Sequence, residues 1–393
     1  MHRFHAASRV FLVAVMCAAV LGPQQTSAAD PYELTAIVSL TGVGSFVGTT
    51  TQQGLQALEI YVNKNGGING RPVKFVFEDD QTNPQTAVQL ANEAIAKKPA
   101  VIFGGSFGST CGAILPIVVK DGPVDYCLSP ALRPPPGSYV SSASTGITDT
   151  VAVSINYLRA LGLTRIAAIT TTDASGQEAD RAIDAAFAAN GGGLVAREHF
   201  SPADLSVTAQ LARIKTAQPQ ALIAWAAGTP AATVFRGIQD VALDIPVVTS
   251  NANSTHVQMK QYAAFLPKEL YFPNPEISAV DGVNDAPTKA AQKIFFDAMA
   301  AIDVKPDVTQ STPWDPGLLV IQALRTLGTG ATAAQMHDYL ANVQNFVGVN
   351  GRYDFKAYPQ RGLGESGVIM VRWDPVKSDW FSVSRPGGVP IKR

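Results

Sequence analysis

Residues 100–113 read AVIFGGSFGSTCGA, a short apolar run that passes through a glycine-rich turn into a longer pattern. The run AVIF at 100–103 predicts a buried strand, and STCGAILPIVVK at 109–120 predicts a helix that begins with hydroxyl residues. A strand that leads through a tight glycine turn directly into a helix is the repeating unit of a parallel α/β sheet. The stretch therefore predicts an α/β fold, if the chain around it repeats this unit.

The unit recurs on both sides of the proline-rich segment RPPPG at 133–137. The strand patterns before that segment are LTAIVSL, VKFVFEDD, AVIF and VDYCL, and those after it are RIAAITT, LVAREHF, ALIAWAA and IPVVTS. Helical patterns separate them. A chain of 393 residues with 46% hydrophobic content is long enough for two globular units. We therefore predict an α/β fold with two doubly wound parallel-sheet lobes.

The last third of the chain has a different pattern. It is mostly helical over 286–301, 315–327 and 332–342, and it then contains two alternating segments, GVIMVRW and WFSVSR. The turn sequence DPVKSD lies between these segments, so they predict a β-hairpin.

The first 29 residues have the pattern of a secretory signal peptide. Basic Arg3 and Arg9 precede the apolar run VFLVAVMCAAVLG, and small residues before Asp30 fit a cleavage site near Ala29. The apolar run is too short to cross a bilayer. We therefore expect a cleaved signal peptide at 1–29 and a periplasmic protein.

Charge and metal-ligand residues exclude several classes of function. The formal net charge is −1 and the charges are spread without long runs, so we expect neither nucleic acid nor an anionic membrane as a partner. His199, His256 and His337 are far apart, no C-x-x-C occurs, and we expect no metal and no cofactor. Cys111 and Cys127 can pair in an oxidising compartment or remain free thiols, and the sequence leaves both alternatives open.

The turn itself, GGSFG, matches the G-x-S-x-G pattern of hydrolases, in which Ser106 would be the nucleophile. Histidines follow it in the chain, but no HGGG-like oxyanion loop precedes it. The same loop can instead bind a carboxylate, because a helix start offers unpaired N–H groups and Ser106, Ser109 and Thr110 add hydroxyl groups. We favour binding and expect no enzyme activity, with a secreted serine hydrolase as the alternative.

Several stretches together resemble one family. They are IVSLTG, NKNGGINGRPVKFVFEDDQTNPQTAVQLANEAI, GGSFGST, LSPA at 128–131 and DLSVTAQLARIKTAQPQALIAWAAGTPAATVFRGIQDVAL. From about Leu34 to its C-terminus, the chain resembles the periplasmic substrate-binding proteins of branched-chain amino acid type ABC importers. The resemblance implies a monomer that delivers a small solute to the permease subunits of an ABC importer.

The family's fold is the type I periplasmic binding fold, in which two lobes joined by three crossovers close on a solute. The resemblance implies a first lobe of residues 30–144 plus 275–347 and a second lobe of residues 145–274 plus 348–393. The crossovers would lie near Ser144, at YFPNP (271–275) and at NFVGVNG (345–351).

The resemblance also implies where the ligand lies. Two loops of the first lobe would hold its carboxylate, through Ser106, Phe107, Gly108, Ser109 and Thr110 in one loop and Ser129, Ala131, Leu132 and Arg133 in the other. The second lobe would close over the ligand with loops that contain Ser175, Gly228 and Asn251.

The second-lobe loops depart from those of amino acid binders, which hold the ligand ammonium with an acidic side chain and tyrosines. Asn251 stands where the acid is expected, and Ser175 and Gly228 stand near the expected tyrosines. A buried ammonium without a carboxylate partner is costly. We therefore favour a carboxylic acid with an aromatic or other apolar body. Asp173 is the nearest remaining acid and keeps an amino acid ligand as the alternative.

Four further residues have two interpretations each. Arg133 either grips the carboxylate or faces solvent. Phe46, Phe107 and Trp225 either form aromatic walls of the cleft or pack in the cores of the lobes. A ligand sensor of the same fold is a further alternative to a transport protein.

Overall fold

The computed structural model describes residues 1–2, 30–279, 283 and 285–391. The predicted signal peptide thus falls almost entirely outside the described residues. Among the described residues, no helix is long and apolar enough to cross a membrane.

The first lobe is built on a parallel sheet. Its strands are β1 (Tyr32–Val38), β2 (Val73–Asp79), β3 (Val101–Gly104), β4 (Val124–Cys127) and β5 (Val140–Ser142), in the spatial order β2-β1-β3-β4-β5. The connecting helices are α1 (Ser45–Lys64), α2 (Pro84–Ala96) and α3 (Gly108–Val118). The start of α2 shows why the chain folds locally in this way: Asn83 accepts the Gln85 N–H at 2.8 Å, and Pro84 occupies the first helical position.

The second lobe repeats the pattern after a crossover at residues 143–146. Its parallel strands are β6 (Ile166–Thr171), β7 (Ala196–Phe200), β8 (Ala221–Trp225), β9 (Val247–Thr249) and β10 (Leu270–Pro275). The helices of this unit are α4 (Ile147–Ala160), α5 (Ala174–Asn190), α6 (Thr208–Thr216), α7 (Thr229–Asp240) and α8 (His256–Gln261). The predicted second α/β unit is confirmed.

The chain then returns to the first lobe. The returning elements are α9 (Ala286–Ala300), α10 (Val308–Ser311), α11 (Trp314–Leu327), α12 (Ala333–Ala341) and a small hairpin of β11 (Phe346–Val347) and β12 (Arg352–Tyr353). Phe295 and Trp314 share one buried core with Phe103 and Tyr126 of the first sheet. The predicted late helices are thus confirmed, with ends shifted by one residue.

The last strands complete the second sheet. Antiparallel β13 (Val368–Asp374) and β14 (Asp379–Ser382) form the predicted hairpin and extend the order to β14-β13-β10-β9-β8-β6-β7. A short pair, β15 (Ser384–Arg385) and β16 (Val389–Pro390), follows. Helices cover both faces of each sheet, so the predicted fold class of two doubly wound lobes is confirmed.

The predicted third crossover at 345–351 is wrong. Val349, Tyr353 and Leu363 are buried in the core of the first lobe, so the chain crosses to β13 only after Leu363. A buried carboxylate on α11 holds this segment. Asp315 accepts the N–H groups of Val349 at 2.8 Å and Asn350 at 3.0 Å, and the Tyr353 hydroxyl at 3.0 Å. The lobe boundary predicted at 347/348 therefore moves to about 363. The second crossover follows YFPNP, which itself is β10.

Cys111 at the start of α3 and Cys127 at the end of β4 form a disulfide, with their Cα atoms 5.7 Å apart. Both residues are fully buried. The bond ties together two elements that carry the loops of the candidate site.

We expect Asp315→Ala to lower the free energy of unfolding by about 3 kcal/mol or more, because it leaves several buried donors without an acceptor. Asp121→Ala, at an exposed position of the same lobe, is the control and should change it by less than about 0.5 kcal/mol. Urea unfolding of the two variants measures the difference. Equal stability of both variants would contradict the anchoring role of Asp315.

Candidate functional site

The two lobes face each other with the carboxyl ends of their parallel strands. The helices α3 and α5 begin at these edges and meet across the cleft: a Cβ atom placed on Gly108 would lie 3.5 Å from the Ala174 Cβ and 2.8 Å from the Ala131 Cβ. A Cβ atom at position 108 would therefore clash with Ala131 of its own lobe and touch Ala174 of the opposite one. The absence of a side chain lets the lobes approach closely.

A cavity of about 70 Å³ lies between the lobes. A single water needs a cavity volume of about 10–15 Å³ by the same measure, so this cavity has room for a small organic molecule. Residues of both lobes and of the late helices line it: Val47, Thr51, Ser106, Phe107, Gly108, Leu128, Ser129, Pro130, Ala131, Ser144, Ile147, Asp173, Ser175, Ala227, Ser250, Asn251, Ala252, Val308, Thr309 and Thr312.

Ser106 is the most informative polar group in this lining. It is 4% exposed, and its hydroxyl makes no hydrogen bond with any described residue. A buried hydroxyl without a partner is unfavourable by about 1–3 kcal/mol, so such groups are uncommon unless a ligand or water satisfies them. Ser129 lines the same cavity from the next loop. The neighbouring Thr110 hydroxyl is already used, because it donates to the Phe107 carbonyl at 3.1 Å.

Asp173 is the one charged side chain among the described residues that line the cavity. Its Oδ1 caps α5 by accepting the Gly176 N–H at 2.9 Å, and it also accepts the Thr171 hydroxyl at 2.8 Å. Its Oδ2 accepts no hydrogen bond from the described part of the chain. The described lining therefore contains one carboxylate, with one oxygen that accepts no hydrogen bond from the described residues, and no basic side chain.

The structure brings half of the predicted site residues together. The predicted residues that line the cavity are Ser106, Phe107, Gly108, Ser129, Ala131, Ser175 and Asn251. Those that do not line it are Phe46, Ser109, Thr110, Leu132, Arg133, Trp225 and Gly228.

Arg133 and Trp225 show why the sequence pattern alone predicted some site residues that lie outside the cavity lining. The Arg133 guanidinium lies outside the cavity lining and forms an ion pair with Glu178 of the opposite lobe at 2.8 Å. It also donates a hydrogen bond to the Thr148 hydroxyl. Its side chain is 63% exposed. Trp225 is 1% exposed and packs in the core between α4, α5 and the second sheet. Arg133 thus fits the interpretation in which it faces solvent, and Trp225 fits the interpretation in which it packs in a core.

No histidine lies beside Ser106 in the described part of the chain. His199 pairs with Asp180 at 2.9 Å, His256 pairs with Asp307, and His337 stacks on Tyr139 with 4.5 Å between ring centroids. None of the three lines the cavity. The serine hydrolase alternative therefore has no general base in contact with its nucleophile.

The sequence matches the family described as "Periplasmic binding protein" over residues 31–379. The chain belongs to this family. A search of curated proteins gave no significant match.

Solved structures of periplasmic binding proteins share the fold. An extracellular ligand-binding receptor from Rhodopseudomonas palustris HaA2 is 16% identical with a TM-score of 0.80, and the match covers 90% of this chain and 100% of that one. The branched-chain amino acid binding protein LivJ of Streptococcus pneumoniae, in complex with isoleucine, is 17% identical with a TM-score of 0.74, covering 90% and 99%. A solute-binding protein of R. palustris in complex with benzoate is 18% identical with a TM-score of 0.76, covering 92% and 98%.

Sequence reasoning missed the part of this periplasmic binding protein's cavity that comes from α10 and α1. Val308, Thr309 and Thr312 follow the return of the chain to the first lobe, and Val47 and Thr51 lie on the first helix. The hydroxyl-rich run TQST at 309–312 is the one signal that could have indicated a site there. Nothing in its spacing connects it to Ser106.

We expect Ser106→Ala to act in opposite directions on the free and bound protein. It removes an unpaired buried hydroxyl, so the melting temperature of the ligand-free protein should rise. It also removes a ligand contact, so affinity should fall about tenfold, or roughly 1–2 kcal/mol. Thermal unfolding and isothermal titration measure the two effects.

Ser109→Ala is the matched control for this experiment. Ser109 lies three residues on, in the first turn of α3, is exposed and does not line the cavity. It should leave both quantities unchanged. If Ser106→Ala lowers the stability of the free protein and leaves affinity intact, Ser106 is not a ligand contact.

Proposed function

We propose that this periplasmic binding protein is the solute-binding component of an ABC importer and holds a small carboxylate with an apolar body between its lobes. The observation that carries the proposal is the buried Ser106 hydroxyl, which has no partner in the described chain and lies where α3 begins. A hydroxyl beside a helix N-terminus can donate to an anion together with unpaired N–H groups.

The charge of the site supports a single small anion. No basic side chain lines the cavity among the described residues, so positive potential comes from the N-termini of α3 and α5, which meet across the cleft. Two helix ends supply about one unit of positive charge together, and the Asp173 carboxylate that caps α5 offsets part of it. That matches a monocarboxylate better than a dianion or a phosphorylated compound.

The remainder of the lining supports an apolar body. Half of the described lining residues are apolar, and the larger of these are Val47, Phe107, Leu128, Ile147 and Val308. A cavity with a few convergent polar groups and a mostly apolar wall is typical of small-molecule sites. Phe107 provides an aromatic surface, whereas Phe46 and Trp225 lie outside the lining.

An α-amino acid is a second candidate, and Asp173 is the observation that favours it. The free Oδ2 of Asp173 could accept an ammonium group that Asn251 cannot neutralise. The cost of burying a ligand ammonium, which disfavours an amino acid, is therefore lower in the folded protein than the sequence indicates. Relatives of this fold in complex with isoleucine and with benzoate exist, so the fold accommodates both chemistries.

The proposal places the protein in the periplasm, with the permease subunits of the importer as its partners. Export would depend on the predicted signal peptide at 1–29. The cleft alone would serve a ligand sensor equally well, and the transport role rests on the family.

We expect Asp173→Asn to separate the two candidates by the sign of its effect. Asparagine caps a helix as well as aspartate, so α5 should remain intact while the charge is lost. Affinity for a bare acid should rise several-fold because a like charge is removed. Affinity for an amino acid should fall about tenfold because the ammonium loses its partner.

Matched pairs of probes make the measurement clean. Phenylacetate with L-phenylglycine, and 4-methylpentanoate with L-leucine, differ within each pair only at the α-amino group. Isothermal titration of wild type and Asp173→Asn with all four gives the answer. If wild type binds an amino acid tightly and Asp173→Asn abolishes that binding, the ligand is an amino acid and not a bare acid. If wild type binds none of the four probes, both candidates are rejected.

A further inference from the structure

Arg361 lies behind the loop that forms one wall of the cavity. It belongs to the segment between β12 and the third crossover, and its guanidinium is partly buried. It donates to the carbonyls of Leu132 at 2.6 Å and Pro130 at 3.4 Å. It thus holds the loop that carries Ser129 and Ala131 from the side opposite the cavity.

The same guanidinium also holds the first crossover between the lobes. It donates to the carbonyls of Ser144 at 3.2 Å and Ala143 at 3.3 Å. Ser144 lines the cavity and has a φ of 62°, a left-handed conformation that is unfavourable for a residue with a side chain. A planar fork with several N–H donors suits this task, because it can satisfy carbonyls from two separate segments at once.

These contacts decide which way the peptide groups of both segments face. In a trans peptide the C=O and N–H bonds point in opposite directions. When the carbonyls of Pro130 and Ala143 face Arg361, the N–H groups of Ala131 and Ser144 face away from it, and both of these residues line the cavity. The Ser144 N–H has no hydrogen-bond partner among the described residues, and the Ala131 N–H has only a long contact of 3.3 Å to the Ser129 hydroxyl.

The charge of Arg361 is only partly balanced, by the Asp149 and Glu178 carboxylates that act on it from a distance. No carboxylate in the described part of the chain forms an ion pair with it. Burial lowers the pKa of the guanidinium to about 10, so it remains protonated at neutral pH. The cavity has no basic residue in its described lining, but the Arg361 guanidinium places a positive charge behind the backbone that forms its wall.

We propose that Arg361 is a positioning residue for the ligand carboxylate: it locks residues 130–132 and 143–144 into one unit and turns the N–H groups of Ala131 and Ser144 toward the cavity. Its positive charge strengthens the same wall through the peptide layer without touching the ligand. This inference rests on the carboxylate function proposed above. It gives the anion site a cationic residue that lies more than 200 positions from Ser129 and Ser144.

The first test needs no ligand. Hydrogen exchange of residues 128–133 and 142–146, which include the bonded amides of Leu128, Ser142 and Ala143, is compared between wild type and Arg361→Met. Both segments should exchange about tenfold faster in the variant, since each loses charge-assisted hydrogen bonds. Arg325→Met is the control, because Arg325 donates to the Gly67 carbonyl at 2.8 Å in the same lobe but away from the cavity. Wild-type exchange rates in both segments of Arg361→Met would overturn the inference.

The second test uses the probe among phenylacetate, 4-methylpentanoate, L-phenylglycine and L-leucine that wild type binds most tightly. Its affinity should fall at least tenfold in Arg361→Met, recover in part in Arg361→Lys, which keeps the charge, and stay unchanged in Arg325→Met. Equal losses in Arg361→Met and Arg325→Met would also overturn the inference. If wild type binds none of the four probes, the proposed ligand class fails, and the exchange experiment still decides whether Arg361 positions the two segments.

Discussion

Every parallel sheet sends the carboxyl ends of its strands to one edge, and in this protein two such edges face each other. The helices that follow the strands begin there, so the unpaired N–H groups of α3 and α5 point into the gap between the lobes. Gly108 lets these helix ends approach, because any side chain at that position would meet Ala131 and Ala174. The cavity, its polarity and the unpaired Ser106 hydroxyl all follow from this arrangement.

The positive charges around the cavity have separate tasks. Arg133, which the sequence places in the ligand loop, instead links that loop to the buried Glu178 of the opposite lobe at 2.8 Å. Arg361 donates to the backbone of the ligand loop and of the first crossover. Among the described residues, the cavity itself is lined by hydroxyl groups, apolar side chains, the Asn251 carboxamide and Asp173. Eight of the ten polar residues in this described lining carry hydroxyl groups, and Asp173 is the one charged side chain there.

A buried polar network also determines the path of the chain in the second half of the first lobe. The family resemblance predicts a crossover at 345–351, but Asp315 binds the N–H groups of Val349 and Asn350 and the Tyr353 hydroxyl in a buried network. A buried carboxylate needs several donors to compensate for its lost hydration. The segment stays with the first lobe, and this in turn brings Arg361 to the cavity wall.

The sequence alone determined the alternation of strands and helices, the two α/β units, the terminal hairpin and the glycine turn around Ser106 between a strand and a helix, because these depend on local periodicity and on glycine and proline. It also indicated the family through short stretches that are each local. Only the tertiary structure decided that Arg133 turns outward, that Trp225 packs in a core, that Asp173 lines the cavity, and that Thr309 and Arg361 reach the same site. These outcomes depend on which distant segments compete for one buried space and one set of hydrogen bonds, and a linear pattern carries no record of that competition.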